Sequence, residues 1–261
     1  MFKERLLTAL MLIPLVLLAI YFGNIWVLSA VILILMLGLG WEWVSLIPIK
    51  QLTHKCLFML LLLVSLIPSL YRLSDYLLIN FAVWALILVA VLTYPATQRY
   101  WGNRIIVGIA CLFILPTFLS SLEGLLQHRN GRALLIYLLF LVWATDIGAY
   151  LVGKQWGKHK LIPLVSPGKS WEGALSGMVM AMLVALGGYA YFQPPHAQSW
   201  FLTAVFIILV SMLGDLFISM LKRRCHLKDT GNLLPGHGGV LDRLDSLVAA
   251  LPFFYYFMLR L

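Results

Sequence analysis

Residues 211–245 read SMLGDLFISMLKRRCHLKDTGNLLPGHGGVLDRLD, a sequence that combines an apolar beginning with a dense polar centre. The apolar run carries one carboxylate, Asp215, and then gives way to a cluster of lysines and arginines. A glycine-rich turn at 235–239 follows, and Asp242 and Asp245 close the stretch before the next apolar run. Ionisable residues cost free energy within a membrane, and those that occur there usually serve a function. Acids and bases mixed at this density suit a site that holds a divalent cation together with phosphates.

The whole chain is far more apolar than a soluble domain. Of its 261 residues, 62% are hydrophobic and 11% are charged, whereas soluble domains have about 45–50% apolar and about 25% charged residues. The sequence therefore predicts an integral membrane protein. A net charge of +9 could indicate nucleic acid in a soluble protein. Here it indicates positive-inside topology, and we expect no nucleic-acid partner. The three cysteines match no disulfide or metal-binding spacing.

Nine segments are apolar enough to cross a membrane, since a spanning helix needs about 20 such residues. They are 6–22, 25–47, 56–71, 77–94, 104–122, 132–151, 171–192, 200–221 and 244–260. The first segment resembles a signal peptide, but no small-x-small cleavage site follows directly, so we expect an uncleaved span. The predicted fold is all-α, a polytopic integral membrane protein with about nine transmembrane helices.

The distribution of basic residues predicts the orientation of these helices. With a cytoplasmic N-terminus, 15 of the 19 Lys and Arg residues fall on the cytoplasmic side, as the positive-inside rule requires. The longest polar gaps, 152–170 and 222–243, then also lie in the cytoplasm. We divide the chain into residues 1–130, transmembrane helices without a recognised motif, and residues 131–261, which carry both polar loops.

Glu42 and Asp146 are carboxylates inside other predicted spans. Glu42, between Trp41 and Trp43, is interpreted as a charge in an interfacial aromatic belt. Asp146 lies several residues inside the sixth span, with Tyr150 one helical turn later on the same face. An unpaired carboxylate at that depth costs about 2.5 kcal/mol or more on insertion scales. We therefore expect Asp146 to be a functional acid that faces a polar cavity.

The polar loop before the seventh span reads SPGKSWEG at 166–173. Pro167 and Gly168 predict a tight turn, and Ser170 is expected to cap the next helix. Because Lys169 precedes that helix N-terminus, the pair is a candidate phosphate site. The spacing of a Walker A loop is absent. The basic residues at 158–160 are interpreted as a solvated positive-inside cluster.

Polar residues in the eighth and ninth helices share helix faces. Asp215, Ser219 and Lys222 are spaced at i, i+4 and i+7 and therefore line one face. Asp242 and Asp245 are spaced at i and i+3 at a helix start, where the helix dipole favours carboxylates. These two faces are expected to meet at one site.

Magnesium is the metal that this set of residues favours. Mg²⁺ needs few protein carboxylates, because it keeps waters and takes other ligands from substrate phosphates. Asp215, Asp242 and Asp245 are the candidate ligands, with Asp146 nearby. His237 lies among glycines, whose backbone can approach phosphates closely. Zinc is not expected, because no His/Cys spacing of a zinc site is present.

The motifs of this region resemble those of one enzyme family. Residues 219–223 (SMLKR), 228–229 (KD) and 234–245 (LPGHGGVLDRLD) are similar to the signature of the phosphatidate cytidylyltransferase, or CDP-diacylglycerol synthase, family. Residues 146–150 (DIGAY) and 166–173 are similar to its upstream motifs, as is Gly214-Asp215. The resemblance covers roughly 143–245.

This resemblance implies that CTP and phosphatidate react to give CDP-diacylglycerol and pyrophosphate in the presence of Mg²⁺. Whether a second, monovalent cation takes part is left open. It implies an all-helical homodimer in the plasma membrane, with a cytoplasmic active site within 131–261. The implied catalytic residues are Asp215, Ser219, Lys222, Arg223, Lys228, Asp229, His237, Asp242 and Asp245. The implied substrate-binding residues are Asp146, Tyr150, Ser166, Lys169, Ser170, Glu172 and Arg243.

Two other classes of protein stay open at this point. A transporter could use Asp146 and Asp215 to carry ions, although the polar residues cluster on one side and no inverted repeat is visible. A lipid phosphotransferase that uses CDP-alcohols is the other alternative. The paired D-x-x-D-G and G-x-x-x-D-x-x-x-D arrangement of that group is absent from the sequence.

Overall fold

The computed structural model describes residue 14 and residues 16–233 and 238–259. Most of the predicted first span, 6–22, lies outside the described residues, although 16–22 are helical. The helices are α1 (Ile25–Leu46), α2 (Leu52–Tyr71), α3 (Leu73–Leu92), α4 (Gln98–Trp101), α5 (Arg104–Gln127), α6 (Gly131–Trp156), α7 (Trp171–Phe192), α8 (Ala197–Arg224) and α9 (Leu241–Met258). Two short strands, β1 (Lys160–Ile162) and β2 (Ser166–Ser170), lie between α6 and α7.

Seven helices of the described chain, namely α1 to α3 and α5 to α8, are long and apolar enough to cross a membrane. The protein is thus an all-α integral membrane protein with one small hairpin. Helix α9 follows the predicted ninth segment, but its first turns contain Asp242, Arg243 and Asp245, so its beginning is less apolar. The count of nine spans and the cytoplasmic N-terminus stay predictions.

Several helices begin at side chains that bind their first free N–H groups. Asn24 Oδ1 accepts the N–H of Val27 at 2.8 Å at the start of α1. Ser170 Oγ accepts the N–H of Gly173 at 3.1 Å at the start of α7. Such caps satisfy backbone donors that have no partner within the helix. The predicted cap at Ser170 is confirmed.

The turn predicted at Pro167-Gly168 is wrong, because both residues lie inside strand β2. The chain reverses earlier, at 163–165, where the N–H of Val165 donates to the carbonyl of Ile162 at 3.2 Å. Pro163 suits that place because its φ is fixed and it has no N–H to donate. The two strands pair antiparallel, with Lys160 opposite Ser170.

Glycines let the helices around the polar region approach closely. A Cβ at Gly177 of α7 would stand 2.5 Å from the Thr145 carbonyl oxygen of α6. A Cβ at Gly214 of α8 would stand 2.5 Å from the Asp245 carbonyl oxygen of α9. Small residues at helix contacts are a common means of association in membranes. The first contact holds α6, which carries Asp146, against α7, and the second holds α8, which carries Asp215, against α9, which carries Asp245.

Candidate active site

A cavity of about 790 Å³ opens among α6, the hairpin, α7, α8 and α9, and charged side chains form part of its lining. It collects residues that are far apart in sequence and that the sequence analysis singled out. The predicted site residues in its lining are Asp146, Tyr150, Ser166, Lys169, Ser170, Asp215, Lys222, Asp242, Arg243 and Asp245. Asp146 therefore lies in the lining of a cavity beside other charged side chains, and its functional role stays a prediction.

An ion pair between Lys222 and Asp242 joins α8 to α9 at this cavity. Lys222 Nζ lies 2.6 Å from Asp242 Oδ1, and the two side chains are only 14% and 9% exposed. Asp242 Oδ2 accepts the N–H of Thr230 at 2.8 Å and the N–H of Gly239 at 3.2 Å. Asp242 thus fixes the loop after α8 as well as the lysine.

The Asp242 carboxyl lies at the polar end of α9, ahead of the apolar part of that helix. Burial disfavours its ionised form, but the hydrogen bond and charge of the Lys222 ammonium and the donors of Thr230 outweigh burial. Together they hold the pKa of Asp242 below its usual range. The group is therefore an anion near neutral pH, as a phosphate-handling or metal-binding carboxylate must be.

A second ion pair connects the hairpin to α8. Lys169 Nζ of β2 lies 2.7 Å from Asp215 Oδ2, and the two side chains are 28% and 32% exposed. The other oxygen of that carboxylate, Oδ1, accepts the hydroxyl of Ser219 at 3.2 Å. The predicted common face of Asp215 and Ser219 is thus confirmed as a direct contact one helical turn apart.

Three carboxylates gather around the Lys169 ammonium. Asp146 from α6, Asp215 from α8 and Asp245 from α9 are close enough to act electrostatically on one another. Asp245 is 7% exposed, and its Oδ1 accepts the N–H of Ser246 at 2.7 Å. Like charges this close repel one another. The Lys169 ammonium lies against them through Asp215, and Lys222 and Arg243 line the same cavity.

The oxygen ligands of this cluster fit a hard cation such as Mg²⁺, which prefers carboxylate oxygens and needs only one or two of them. Within the described ranges, no group of three or more His, Cys, Asp or Glu side chains has the arrangement of a complete metal site. Part of the ligand set would thus come from water and substrate phosphates. Whether Asp215, Asp242 and Asp245 are the ligands stays a prediction.

Several predicted site residues lie outside the lining of the cavity. Arg223 Nε donates to the Val165 carbonyl at 3.2 Å and so holds the turn of the hairpin against α8. Glu172 accepts the N–H of His159 at 3.2 Å, and its Oε1 lies 2.7 Å from His159 Nδ1. Lys228 and Asp229 are exposed. The prediction for His237 falls outside the described residues. The roles predicted for these residues stay predictions.

Glu42 is the residue whose place the sequence analysis misjudged. It is not in an interfacial belt but is buried, with 2% of its surface exposed. Its carboxylate accepts the N–H groups of Val240 and Leu241 at the start of α9. No local pattern indicates this contact, because the partners lie almost 200 positions further along the chain. The only signal was the cost of a carboxylate at the end of an apolar segment.

Several known proteins resemble this chain over most of its length. The sequence model of the cytidylyltransferase family matches residues 3–261. A phosphatidate cytidylyltransferase of Haemophilus influenzae is 36% identical, over 98% of this chain and 98% of its own length. The enzyme of that name from Pseudomonas aeruginosa is 41% identical, over 97% of this chain and 96% of its own. The one from Bacillus subtilis is 34% identical over 77% of this chain and 76% of its own length.

An apolar helical bundle whose cavity is lined by acids and lysines, matched over nearly its whole length by the first two of these relatives, defines a membrane-embedded nucleotidyltransferase. The chain belongs to the cytidylyltransferase family.

Proposed function

We propose that the protein is a phosphatidate cytidylyltransferase, which transfers the cytidylyl group of CTP to phosphatidate and releases pyrophosphate. The relatives that match nearly the whole chain carry that name. The observation that carries the proposal is the meeting of Lys169, Lys222, Asp215, Asp242 and Asp245 around one cavity. Acids and bases from the hairpin, α8 and α9 converge there, as a reaction between two phosphate-bearing substrates demands.

The proposed reaction joins two polyanions. An ionised phosphate oxygen of phosphatidate attacks the α-phosphorus of CTP and forms the new O–P bond. The bond from the α-phosphorus to the bridging oxygen breaks, and its electron pair leaves with pyrophosphate. Lys169, Lys222 and Arg243 line the cavity, and their positive charge reduces the repulsion between the substrates and stabilises the leaving group. Because the attacking oxygen is already ionised near neutral pH, the reaction needs no dedicated general base.

Magnesium completes the proposal. Asp215, Asp242 and Asp245 would hold it, and the bound ion would neutralise charge on the phosphates and orient them. Asp146 lines the same cavity, and in the proposal its carboxylate oxygens would bind a second, monovalent cation. The hydroxyl of Ser219 binds Asp215, so we assign it to positioning that carboxylate and not to nucleophilic attack.

The proposed setting is the inner membrane, with the active site at its cytoplasmic face, where CTP is available. The asymmetric distribution of Lys and Arg supports this orientation. Phosphatidate would reach the cavity from the bilayer. We include a homodimer in the proposal, from the family resemblance. We keep the division into 1–130 and 131–261 as part of the proposal. Every lining residue of the cavity lies within the second part.

The test is an assay of detergent-purified protein with labelled CTP, phosphatidate and Mg²⁺. We expect labelled CDP-diacylglycerol and one pyrophosphate per product, and no product when EDTA removes the metal. Absence of product under these conditions would contradict the proposal. Uptake of a solute into proteoliposomes without CTP would instead favour a transporter, and consumption of CDP-lipid without release of pyrophosphate would favour a CDP-alcohol phosphotransferase.

A further inference from the structure

Glu42 is a buried carboxylate that lies outside the cavity and binds the beginning of α9. Its Oε1 accepts the N–H of Val240 at 2.9 Å, and its Oε2 accepts the N–H of Leu241 at 2.7 Å. Val240, the residue before α9, offers no side-chain cap. A distant residue on α1 therefore supplies the acceptor and the negative charge that the start of a helix favours.

The same carboxylate reaches the site through Thr230. Thr230 Oγ1 lies 3.1 Å from Glu42 Oε2 and 2.9 Å from Asp242 Oδ2, and the Thr230 N–H donates to Asp242 at 2.8 Å. Ser45, one turn after Glu42, donates its hydroxyl to the Thr230 carbonyl at 2.7 Å. Thr230 is itself buried, with 3% of its surface exposed. Two residues of α1, Glu42 and Ser45, thus hold Thr230, and Thr230 in turn binds Asp242.

Two glycines show how closely the loop closes on this carboxylate. A Cβ at Gly239 would stand 2.4 Å from Glu42 Oε2, and a Cβ at Gly231 would stand 2.8 Å from Glu42 Oε1. Real Cβ atoms do not make such contacts, so only glycine allows the backbone to pass at these two places. The chain therefore meets Glu42 near residue 230 and again at 239–241.

We propose that Glu42 is a positioning residue for the reaction, acting through Thr230 and the start of α9. By binding both places, it sets where Asp242 stands opposite Lys222. Neither Glu42 nor Thr230 lines the cavity, so we assign both to positioning and not to contact with substrate. The kinetic consequence rests on the proposed function, whereas the structural consequence for residues 230–241 does not.

The test compares Glu42→Gln with Glu123→Gln, a control glutamate on α5 outside the cavity and the loop. Glutamine keeps the size of Glu42 but replaces one carboxylate oxygen with an N–H₂ group. At least one of the three groups that donate to Glu42, namely the Val240 N–H, the Leu241 N–H and the Thr230 hydroxyl, then faces a donor and not an acceptor. Thr230→Val removes the bridging hydroxyl, and Thr230→Ser keeps it. The measurements are kcat and KM for CTP and phosphatidate, the thermal midpoint in detergent, and amide hydrogen exchange of residues 230–241.

We expect Glu42→Gln and Thr230→Val each to lower kcat at least about tenfold, since small misplacements of reacting groups have large effects. Their thermal midpoints should fall too little for unfolding to explain the loss. Thr230→Ser should retain most of the activity. The kcat of the double variant should be little lower than that of the less active single variant, because both changes break the same connection. Hydrogen exchange of 230–241 should speed up in Glu42→Gln and stay unchanged in Glu123→Gln.

The proposal is overturned if Glu42→Gln keeps kcat and KM within about twofold of the wild type. It is also overturned if activity is lost only in proportion to the unfolded fraction. If Glu42→Gln does not fold, equal activity of Thr230→Val and Thr230→Ser overturns it. Exchange measures the loop without any assay of activity. If the wild type makes no CDP-diacylglycerol while exchange is still faster in Glu42→Gln than in the wild type, the proposed function is refuted and the contact is not.

Discussion

Lys222 Nζ lies 2.6 Å from Asp242 Oδ1, and this contact joins the end of α8 to the first turn of α9 at the wall of the cavity. Since both side chains are mostly buried, removal of either partner leaves a charge without its counter-charge. The pair thus links the geometry of two helices to the charge of the site.

Lys222→Ala should lower kcat by about 100-fold, because a preorganised positive charge at developing phosphate charge is worth that much. Lys158→Ala is the matched control, since Lys158 is exposed and outside the cavity lining. Steady-state kinetics with CTP and phosphatidate would measure both. Equal losses in the two variants would show that bulk charge matters and the Lys222 position does not.

Lys169 should act mainly on nucleotide binding. Its ion pair with Asp215 is partly exposed, so its contribution to stability is below about 1 kcal/mol. Lys169→Ala should raise the KM for CTP about tenfold while the thermal midpoint changes little, since a charged contact to phosphate is lost. Lys169→Arg keeps the charge, so its KM for CTP should lie between the values of the wild type and Lys169→Ala. An unchanged KM for CTP in Lys169→Ala would remove Lys169 from the phosphate site.

The glycine contact between α6 and α7 should control stability. Gly177→Ala places a Cβ 2.5 Å from the Thr145 carbonyl oxygen and should destabilise the fold by about 1–3 kcal/mol, as overpacked sites do. Gly187→Ala on the same helix has open space around its Cβ and should be neutral or stabilising by up to about 1 kcal/mol. Thermal or denaturant unfolding in detergent compares them. A tolerated Gly177→Ala would mean that these helices are not held at this separation.

The orientation can be measured with single cysteines. In a variant whose native cysteines are replaced by serine, Arg129→Cys and Lys158→Cys introduce thiols at two exposed positions near opposite ends of α6. A membrane-impermeant maleimide added outside intact spheroplasts should label the cysteine at 129 and leave the one at 158 unlabelled until lysis. The reverse pattern would place the cavity outside the cytoplasm.

The sequence predicts the helices well because apolar length and capping residues are local properties. The predicted segments 25–47 and 171–192 end within one residue of α1 and α7. The segment 104–122 was too short, since α5 continues to Gln127 through Glu123, a charge that helix ends tolerate near the membrane surface. Helix periodicity also predicts the contact of Asp215 with Ser219.

The features that sequence analysis missed depend on pairings of residues that no local sequence pattern shows. The hairpin is fixed by the pairing of Lys160 with Ser170, and a run of five residues gives no period from which to predict it. Glu42 was assigned to the membrane interface because its neighbours are tryptophans, whereas its donors lie 198 and 199 positions away. The same holds for the ion pair of Lys169 with Asp215. Such contacts are set by the packing of α1, α8 and α9.

Turnover by Asp215→Asn and Asp242→Asn tests most directly the claim that acids from separate helices hold a cation between lipid and nucleotide phosphates. Both changes remove a negative charge and keep the shape of the side chain. Purified variants that stay folded and keep the wild-type elution volume should form no labelled CDP-diacylglycerol at saturating CTP, phosphatidate and Mg²⁺. Near wild-type activity in either variant would contradict the account.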